Sequence, residues 1–446
     1  MDGKDFTKAL EDFEIEHLKP YALRSRERRE TLKEKFREHP TYEPLEYRTE
    51  YHRDRDRILW STAFKRLQHK TQIFPHYVED HYRRRLTHSL EVSQVATTLA
   101  RALGLNEIAT EAIALAHDVG HTPFGHGGET ALDKELGKVA RKAKADPLKT
   151  QVPIYAFNHC VQGVEEVSRL SHEYTTQSKA SKSHPGLNLS FDVRDGILKH
   201  IFSSTRPGSP PLANLANIVK MDQYKQYGNN CGSLEAQCVW FADKLSYLLG
   251  DIEDALRSQV FTFQEIQKCP FINDIWKEFS RCRCTKARLR IQNSADYLRF
   301  RRQALAAMIL NCATTSLDNI TRNKVRNLTD VFRNDRVVNV EPKLCEGWKC
   351  FHGTMMEHKL YIHHEVMRCE FKAELIISDL FRAFRETPSL IPSEYLERTI
   401  EAYKKLAGRA LMDLICVRNY IAGMTDPFAT EFHKRLFMSS ERASLR

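Results

Sequence analysis

The positions from Ala116 to Glu129 (AHDVGHTPFGHGGE) crowd His117, Asp118, His121, His126 and Glu129 between glycines and a proline. Imidazole and carboxylate donors of this kind suit a catalytic divalent metal, provided they converge from separate elements and leave a coordination position open. A His-Asp pair alone is common at helix ends and carries little weight. Here His88 upstream and Asp243 downstream join His117 and Asp118 into a candidate ligand set borne on three expected helices.

Helices must deliver these side chains to one place. In LTHSLEVSQVATTLARALG, Leu86, Leu90, Val95, Leu99 and Leu103 form the expected apolar face around His88, and Gly104 stops the helix. Asn106 is placed to cap the next helix, where Ile108, Ala112 and Leu115 recur at helical spacing up to His117. Adjacent residues on a regular helix diverge by about 100°, so His117 and Asp118 meet only if the helix loosens, which Gly120 permits. A third helix, LEAQCVWFADKLSYLLGDIEDAL, carries Asp243 on a chain whose buried stripe is Leu234, Val239, Ala242, Leu245, Leu249 and Ile252. Long β-branched runs are nearly absent, so the chain reads as all-α, with a short hairpin expected only in VVNVEPKLCEGWKC. Ser171 to Pro185 and Ser203 to Pro211 read as surface loops. The best division places an N-terminal region and catalytic core at 1–260 and a helical C-terminal region, packed on it, at 261–446.

The chain has 446 residues, 41% of them hydrophobic, which is enough to bury a large core and excludes a disordered or collagen-like protein. Lys and Arg total 68 against 58 acidic residues, and the formal charge of +10 favours anionic partners such as phosphates, nucleotides or nucleic acid. The longest apolar stretch, Ala304 to Leu317, falls short of a membrane span, and the charged N-terminus does not read as a secretory signal. A cytoplasmic protein is therefore expected, without membrane contact. Eleven scattered cysteines fit reduced thiols, and neither Cys282-x-Cys284 nor Cys345-x4-Cys350 has the second matched pair a structural zinc site needs.

Several segments resemble, in order, the deoxyguanosinetriphosphate triphosphohydrolase-like members of the HD-domain metal phosphohydrolases. They are RDRDRILWSTAFKRLQHKTQIFP (from Arg53), RRRLTHSLEV, AHDVGHTPFGHGGE, FNHCVQGVEEV, GLNLSFDVRDGILKH, WFADKLSYLLGDIEDAL and NYIAGMTDPFATEFHKRLF, which together extend over nearly the whole chain. The resemblance implies an HD-domain helical core with a helical C-terminal extension and minor β structure. It implies one divalent metal on His88, His117, Asp118 and Asp243, a donor set better suited to Mn, Fe, Co, Ni or Zn than to Mg alone, with Mg assisting on the triphosphate. It also implies hydrolysis of a deoxynucleoside triphosphate, dGTP or several, at the α-phosphorus to give deoxynucleoside and intact triphosphate.

That reaction needs a proton for the departing 5′-oxygen, and His126 with Glu129, three residues apart at a helix start, suits the task. The carboxylate there orients the imidazole, as an Asp orients the His of a serine hydrolase; the alternative for Glu129 is an ordinary first-turn acid. By the same resemblance Arg85 and Lys244 contact phosphates, with Arg83 and Arg84 left as a solvated charged face. His121 is a phosphate-side or supporting histidine, and His159 lines the pocket or is a satisfied buried histidine. Tyr247 and Asp251, on the helical face of Asp243, close on the sugar, the Tyr excluding a 2′-hydroxyl and the Asp binding the 3′-hydroxyl; their alternatives are a core aromatic and an acidic surface. Gln72 reads the base or sugar edge. Asn419 stands where the family commonly has Asp, which weakens any charged role at that position. Family members commonly assemble as hexamers or tetramers, so a homo-oligomer is implied.

Two other readings stay open at this point. One is another HD-domain phosphohydrolase acting on nucleotides. The other is a nucleotide-sensing regulator that binds single-stranded nucleic acid through RSRERRE and YHRDRDR, although interspersed acids fit solvated helices or intersubunit contacts equally well.

Overall fold

The computed structural model describes residues 3–39, 47–72, 83–142, 156–171, 186–199, 231–282, 289–334, 336–404 and 409–438. Among them the chain is helical, with no strand and one isolated antiparallel bridge between Thr71 and Arg84. The site is carried by α1 (Glu50–Trp60), α2 (Arg85–Leu103), α3 (Glu107–Ala116), α4 (Gly125–Lys142), α5 (His159–Glu165) and α6 (Leu234–Arg257). Further along lie α7 (Pro342–Phe351), α8 (His364–Glu386), α9 (Arg409–Gly423) and α10 (Asp426–Phe437). None of the described helices is long and apolar enough to cross a membrane.

Helix α2 packs against both α3 and α6, so the three helices that bear the candidate ligands share one core. Its buried face is His88, Val92, Val95, Leu99 and Leu103, a run at steps of three and four, with Ala96 beside it. Leu90, expected on that face, is instead half exposed, because two residues along a helix from His88 points it to the opposite side. Gly104 ends α2 in the left-handed conformation at φ +70°. The Asn106 side chain caps α3 by accepting from the backbone N–H groups of Ile108 at 3.1 Å and Ala109 at 3.0 Å. On α6 the whole expected stripe, Leu234, Val239, Ala242, Leu245, Leu249 and Ile252, is buried. Each of the Leu, Val and Ile side chains contributes about 1.5–3 kcal/mol relative to exposure.

A second apolar cluster joins Ala131, Leu132, Leu136 and Ala140 of α4 to Ile376, Ile377, Leu380, Phe381 and Phe384 of α8 and to Ile415 and Ile421 of α9. Helix α4, which begins with the candidate proton donor, is thus anchored from the C-terminal end of the chain.

The expected hairpin in VVNVEPKLCEGWKC does not form. Pro342 stands at the first position of α7, where its fixed φ starts a helix, and the N–H groups of Val337 and Val338 both donate to the Gln237 side chain, at 2.8 and 3.0 Å. The expected surface loops lie outside the described residues except for Ser171. The arginine-rich segments are taken up internally. Arg28 pairs with Asp192 at 2.6 Å, Arg29 with Glu11 at 2.8 Å, Arg53 with Glu50 at 2.7 Å, and Arg55 with Asp56 at 2.9 Å. Arg57 donates to the Leu187 carbonyl at 3.0 Å. The described cysteines form no disulfide.

Candidate active site

Four side chains meet where α2, α3 and α6 converge. His88 Nε2 lies 2.9 Å from Asp243 Oδ1 and 3.9 Å from Asp118 Oδ2, while His117 Nε2 lies 3.4 Å from Asp118 Oδ1 and 3.8 Å from Asp243 Oδ1. Donor atoms of His88, His117 and Asp118 all fall within 4.8 Å of one another, and all three residues are buried. Helix α3 ends at Ala116, and the turn that follows lets His117 and Asp118 face the same point. Gly120 is required there for close approach: a methyl group on it would stand 2.0 Å from the His159 carbonyl oxygen.

The chemistry of this set fits a divalent ion. His117 Nδ1 sits 2.6 Å from the Ala114 carbonyl, which fixes the proton on that nitrogen and leaves Nε2 with its lone pair toward the cluster. His88 differs, because Arg83 Nη2 donates to its Nδ1 at 2.9 Å, so the neutral ring carries its proton on Nε2, facing Asp243. Ligation through Nε2 then requires that proton to be displaced, as metal binding commonly does. Burial and the Arg83 charge lower the basicity of His88 and favour the neutral ring. Burial alone would raise both carboxyls, yet the imidazoles hold Asp243 far below the usual carboxylate range, and His117 with Arg85 does the same for Asp118. A neutral His88 ring beside ionised carboxylates matches the states in which such side chains bind a metal.

Asp118 is shared with a second group. Arg85 Nη1 donates to its Oδ2 at 2.8 Å, and His121 Nε2 lies 3.2 Å from its Oδ1. His121 stacks on His159, with ring centroids 3.8 Å apart, and His126 approaches His121 edge-on at 5.3 Å. Glu129 is the hub of these three rings. Its carboxylate reaches His159 Nδ1 at 3.0 Å, His126 Nδ1 at 3.4 Å and His121 Nδ1 at 3.9 Å, and it accepts the His159 backbone N–H at 3.0 Å. The expected His126–Glu129 pair is present, but Glu129 lies closer to His159. Glu129, though buried, is held well below the usual carboxylate range, with His159 and His126 the main causes; burial drives the His121 imidazole well below its ordinary value, helped by Arg85. Three imidazoles around one carboxylate beside the metal cluster can pass or hold a proton there.

Among the other expected residues, Arg85 is 1% exposed, and its Nη2 and Nε have no hydrogen-bond partner among the described residues. Buried, unsatisfied guanidinium donors next to the cluster suit an anion. Gln72 is likewise buried with Oε1 unpartnered. Lys244 is half-buried beside Asp243 and helps hold that carboxylate ionised. Tyr247 hydrogen-bonds the hydroxyl of Tyr361, and burial raises both Tyr247 and Asp251 well above their ordinary ranges. Asp251 is fully buried, so it is not part of an acidic surface. Asn419 is also buried, accepting from Arg418 Nε at 3.0 Å.

Sequence reasoning missed two contributors. Arg83, expected on a solvated face, is 8% exposed and bonds His88, Glu91 and the Ser246 carbonyl. Gly250 makes room for it, since a methyl group there would lie 2.0 Å from Arg83 Nη1. Tyr361 carries no signal in its own neighbourhood; only its packing against Tyr247 reveals it.

A family model described as HD domain matches residues 85–248, and one described as phosphohydrolase-associated domain matches residues 352–435. Proteins named deoxyguanosinetriphosphate triphosphohydrolase-like protein are similar along most of their length. The one from Azoarcus sp. (strain BH72) is 37% identical over 91% of this chain and 94% of its own. That of Geobacter metallireducens is 35% identical over 95% and 96%, and that of Agrobacterium fabrum 34% identical over 87% and 89%.

Proposed function

The chain belongs to the deoxyguanosinetriphosphate triphosphohydrolase-like family of HD-domain hydrolases, and from that premise we propose that it hydrolyses deoxynucleoside triphosphates to deoxynucleoside and intact triphosphate. The observation that supports this reading most directly is Asp118. It faces a candidate metal cluster on one side and, through His121, a proton-handling group of His126, His159 and Glu129 on the other.

In this reading His88, His117, Asp118 and Asp243 hold one divalent ion, with Mn, Fe, Co, Ni and Zn favoured over Mg by the two imidazoles. The ion supplies Lewis acidity at the α-phosphate and activation of the attacking water. Arg85 offers its buried, unpaired Nη2 to a phosphate oxygen, and Lys244 adds a point charge on the same side. Water adds to the α-phosphorus as the bond to the 5′-oxygen breaks, and His126 gives that oxygen a proton. Glu129 keeps His126 oriented and stabilises its charged form. Gln72 offers a buried acceptor to the nucleoside edge.

Chromatography of the products from each deoxynucleotide in turn, with each of these metals, tests the reaction. Deoxynucleoside and triphosphate in equal amounts are expected; release of orthophosphate or pyrophosphate as the first product would refute it.

The sugar gives a second test. Tyr247 beneath C2′ excludes a 2′-hydroxyl, and Asp251, whose buried carboxyl can donate as well as accept, bonds the 3′-hydroxyl. The expected discrimination of dGTP over rGTP in kcat/KM is about 10²-fold, falling by about tenfold in Tyr247→Ala. Equal rates for both nucleotides in the parent enzyme would remove the argument.

A further inference from the structure

The turn at the start of α10 reaches across the fold to the segment that leads into His126. Asp426 is buried, and its contacts are divided between two distant segments. Oδ1 accepts the Phe124 backbone N–H at 2.8 Å, while Oδ2 accepts the Thr71 N–H at 2.9 Å and the Thr71 hydroxyl. The residues just before it accept from the segment of Thr71, and Lys70 ties that segment to the one that holds Phe124. The Lys70 amine donates to the carbonyls of His121 and Ala422, and Arg66 donates to the Gly423 carbonyl at 2.9 Å.

What Asp426 holds is an unfavourable backbone. Phe124 has φ +62° and Gly125 φ +59°, two successive left-handed residues directly ahead of His126. Such a conformation at a residue with a side chain persists only where its surroundings over-determine it. The reversal it makes aims the first turn of α4 back at the stacked His121 and His159 rings. His126 itself is 38% exposed, so packing alone does not fix its ring.

We propose that Asp426 is a positioning residue for the His126–Glu129 pair, acting through the backbone of Phe124. The carboxylate is matched to this task, because its two oxygens accept from two N–H donors 53 positions apart in the chain without needing a proton of their own. It touches neither the candidate metal ligands nor His126. The inference rests on the reading of His126 as proton donor.

Asp426→Asn is the isosteric test, since one of its two ends then presents an NH₂ to a backbone N–H. Metal content is expected to equal that of the parent and KM to stay within about threefold, while kcat falls by ~10–10²-fold, the cost of a reacting group displaced by about 1 Å. A residue of purely structural importance would multiply its loss with any other. Here the same substitution in a His126→Ala background is expected to change kcat by less than about twofold, because the group it positions is gone. Should Asp426→Asn not fold, Asp426→Ser, which is too short to span both segments, is expected to give the same pattern. Parent-like kcat in Asp426→Asn, or a full additional loss in the double variant, overturns the inference alone. A His126→Ala enzyme as fast as the parent overturns the proton-donor reading and this inference with it.

Discussion

Asp243→Ala is expected to emerge from purification without its divalent ion and without measurable turnover. The carboxylate stands between the two imidazoles, 2.9 Å from His88 Nε2 and 3.8 Å from His117 Nε2, and is the only candidate ligand carried by α6. Its removal leaves Asp118 as the one negative donor, and that carboxylate is already engaged by Arg85 at 2.8 Å. Even supporting contacts around a metal site are worth 10–100-fold in affinity, so loss of a direct ligand should exceed ~10². Metal analysis of parent and variant prepared side by side gives one readout. Thermal melting gives another, because an ion that binds only the folded chain raises the parent's Tm and leaves the variant's unchanged. Asp243→Asn keeps an acceptor for His88 but not the charge, and should fall between the two. Stoichiometric metal in Asp243→Ala would show that the ion is held elsewhere.

The helices that bear the candidate ligands are legible because their signals are local. The Asn106 cap, the Gly104 stop and the α6 stripe each follow from residues within a few positions of one another, and all three appear in the structure. Leu90 departs from its expected face because the five-residue step from it to Val95 does not keep to one side of a helix, and the buried stripe runs instead through Val92. The expected hairpin fails for a related reason. Val337, Val338 and Val340 look like a strand, but the N–H groups of Val337 and Val338 find a partner in Gln237, about a hundred residues away, and that of Val340 donates to Asn339 Oδ1. Nothing local encodes that partnership. The same limit hid Arg83 and Asp426, whose roles depend on Ser246, Thr71 and Phe124 arriving from elsewhere in the chain. Glu129 is the instructive intermediate. Its i, i+3 spacing to His126 was readable, but its closer bond to His159 arises from the tight crossing at Gly120, which periodicity does not describe.

That closer bond sharpens what the histidine substitutions should do. His126→Ala is expected to keep its metal, since the ring lies outside the His88, His117, Asp118 and Asp243 cluster, and to bind a deoxynucleoside triphosphate with little change. Its kcat should fall by ~10²–10⁴, the usual worth of a positioned general acid. Glu129→Ala should fall less, because the imidazole that transfers the proton remains, although it loses its orienting partner at 3.4 Å. If the two act as a unit, the double variant loses little beyond His126→Ala alone. His159 provides the internal control, since it bonds Glu129 at 3.0 Å and stacks on His121. Were His159 the donor, His159→Ala would carry the large loss and His126→Ala the small one. Metal analysis, substrate titration and single-turnover rates on the three single variants and the Glu129 double variants separate the two assignments. Loss of metal in His126→Ala, or losses that multiply in the His126–Glu129 double variant, would defeat the pairing. In the Glu129–His159 double variant, the same test decides whether the carboxylate serves the exposed ring or the stacked one.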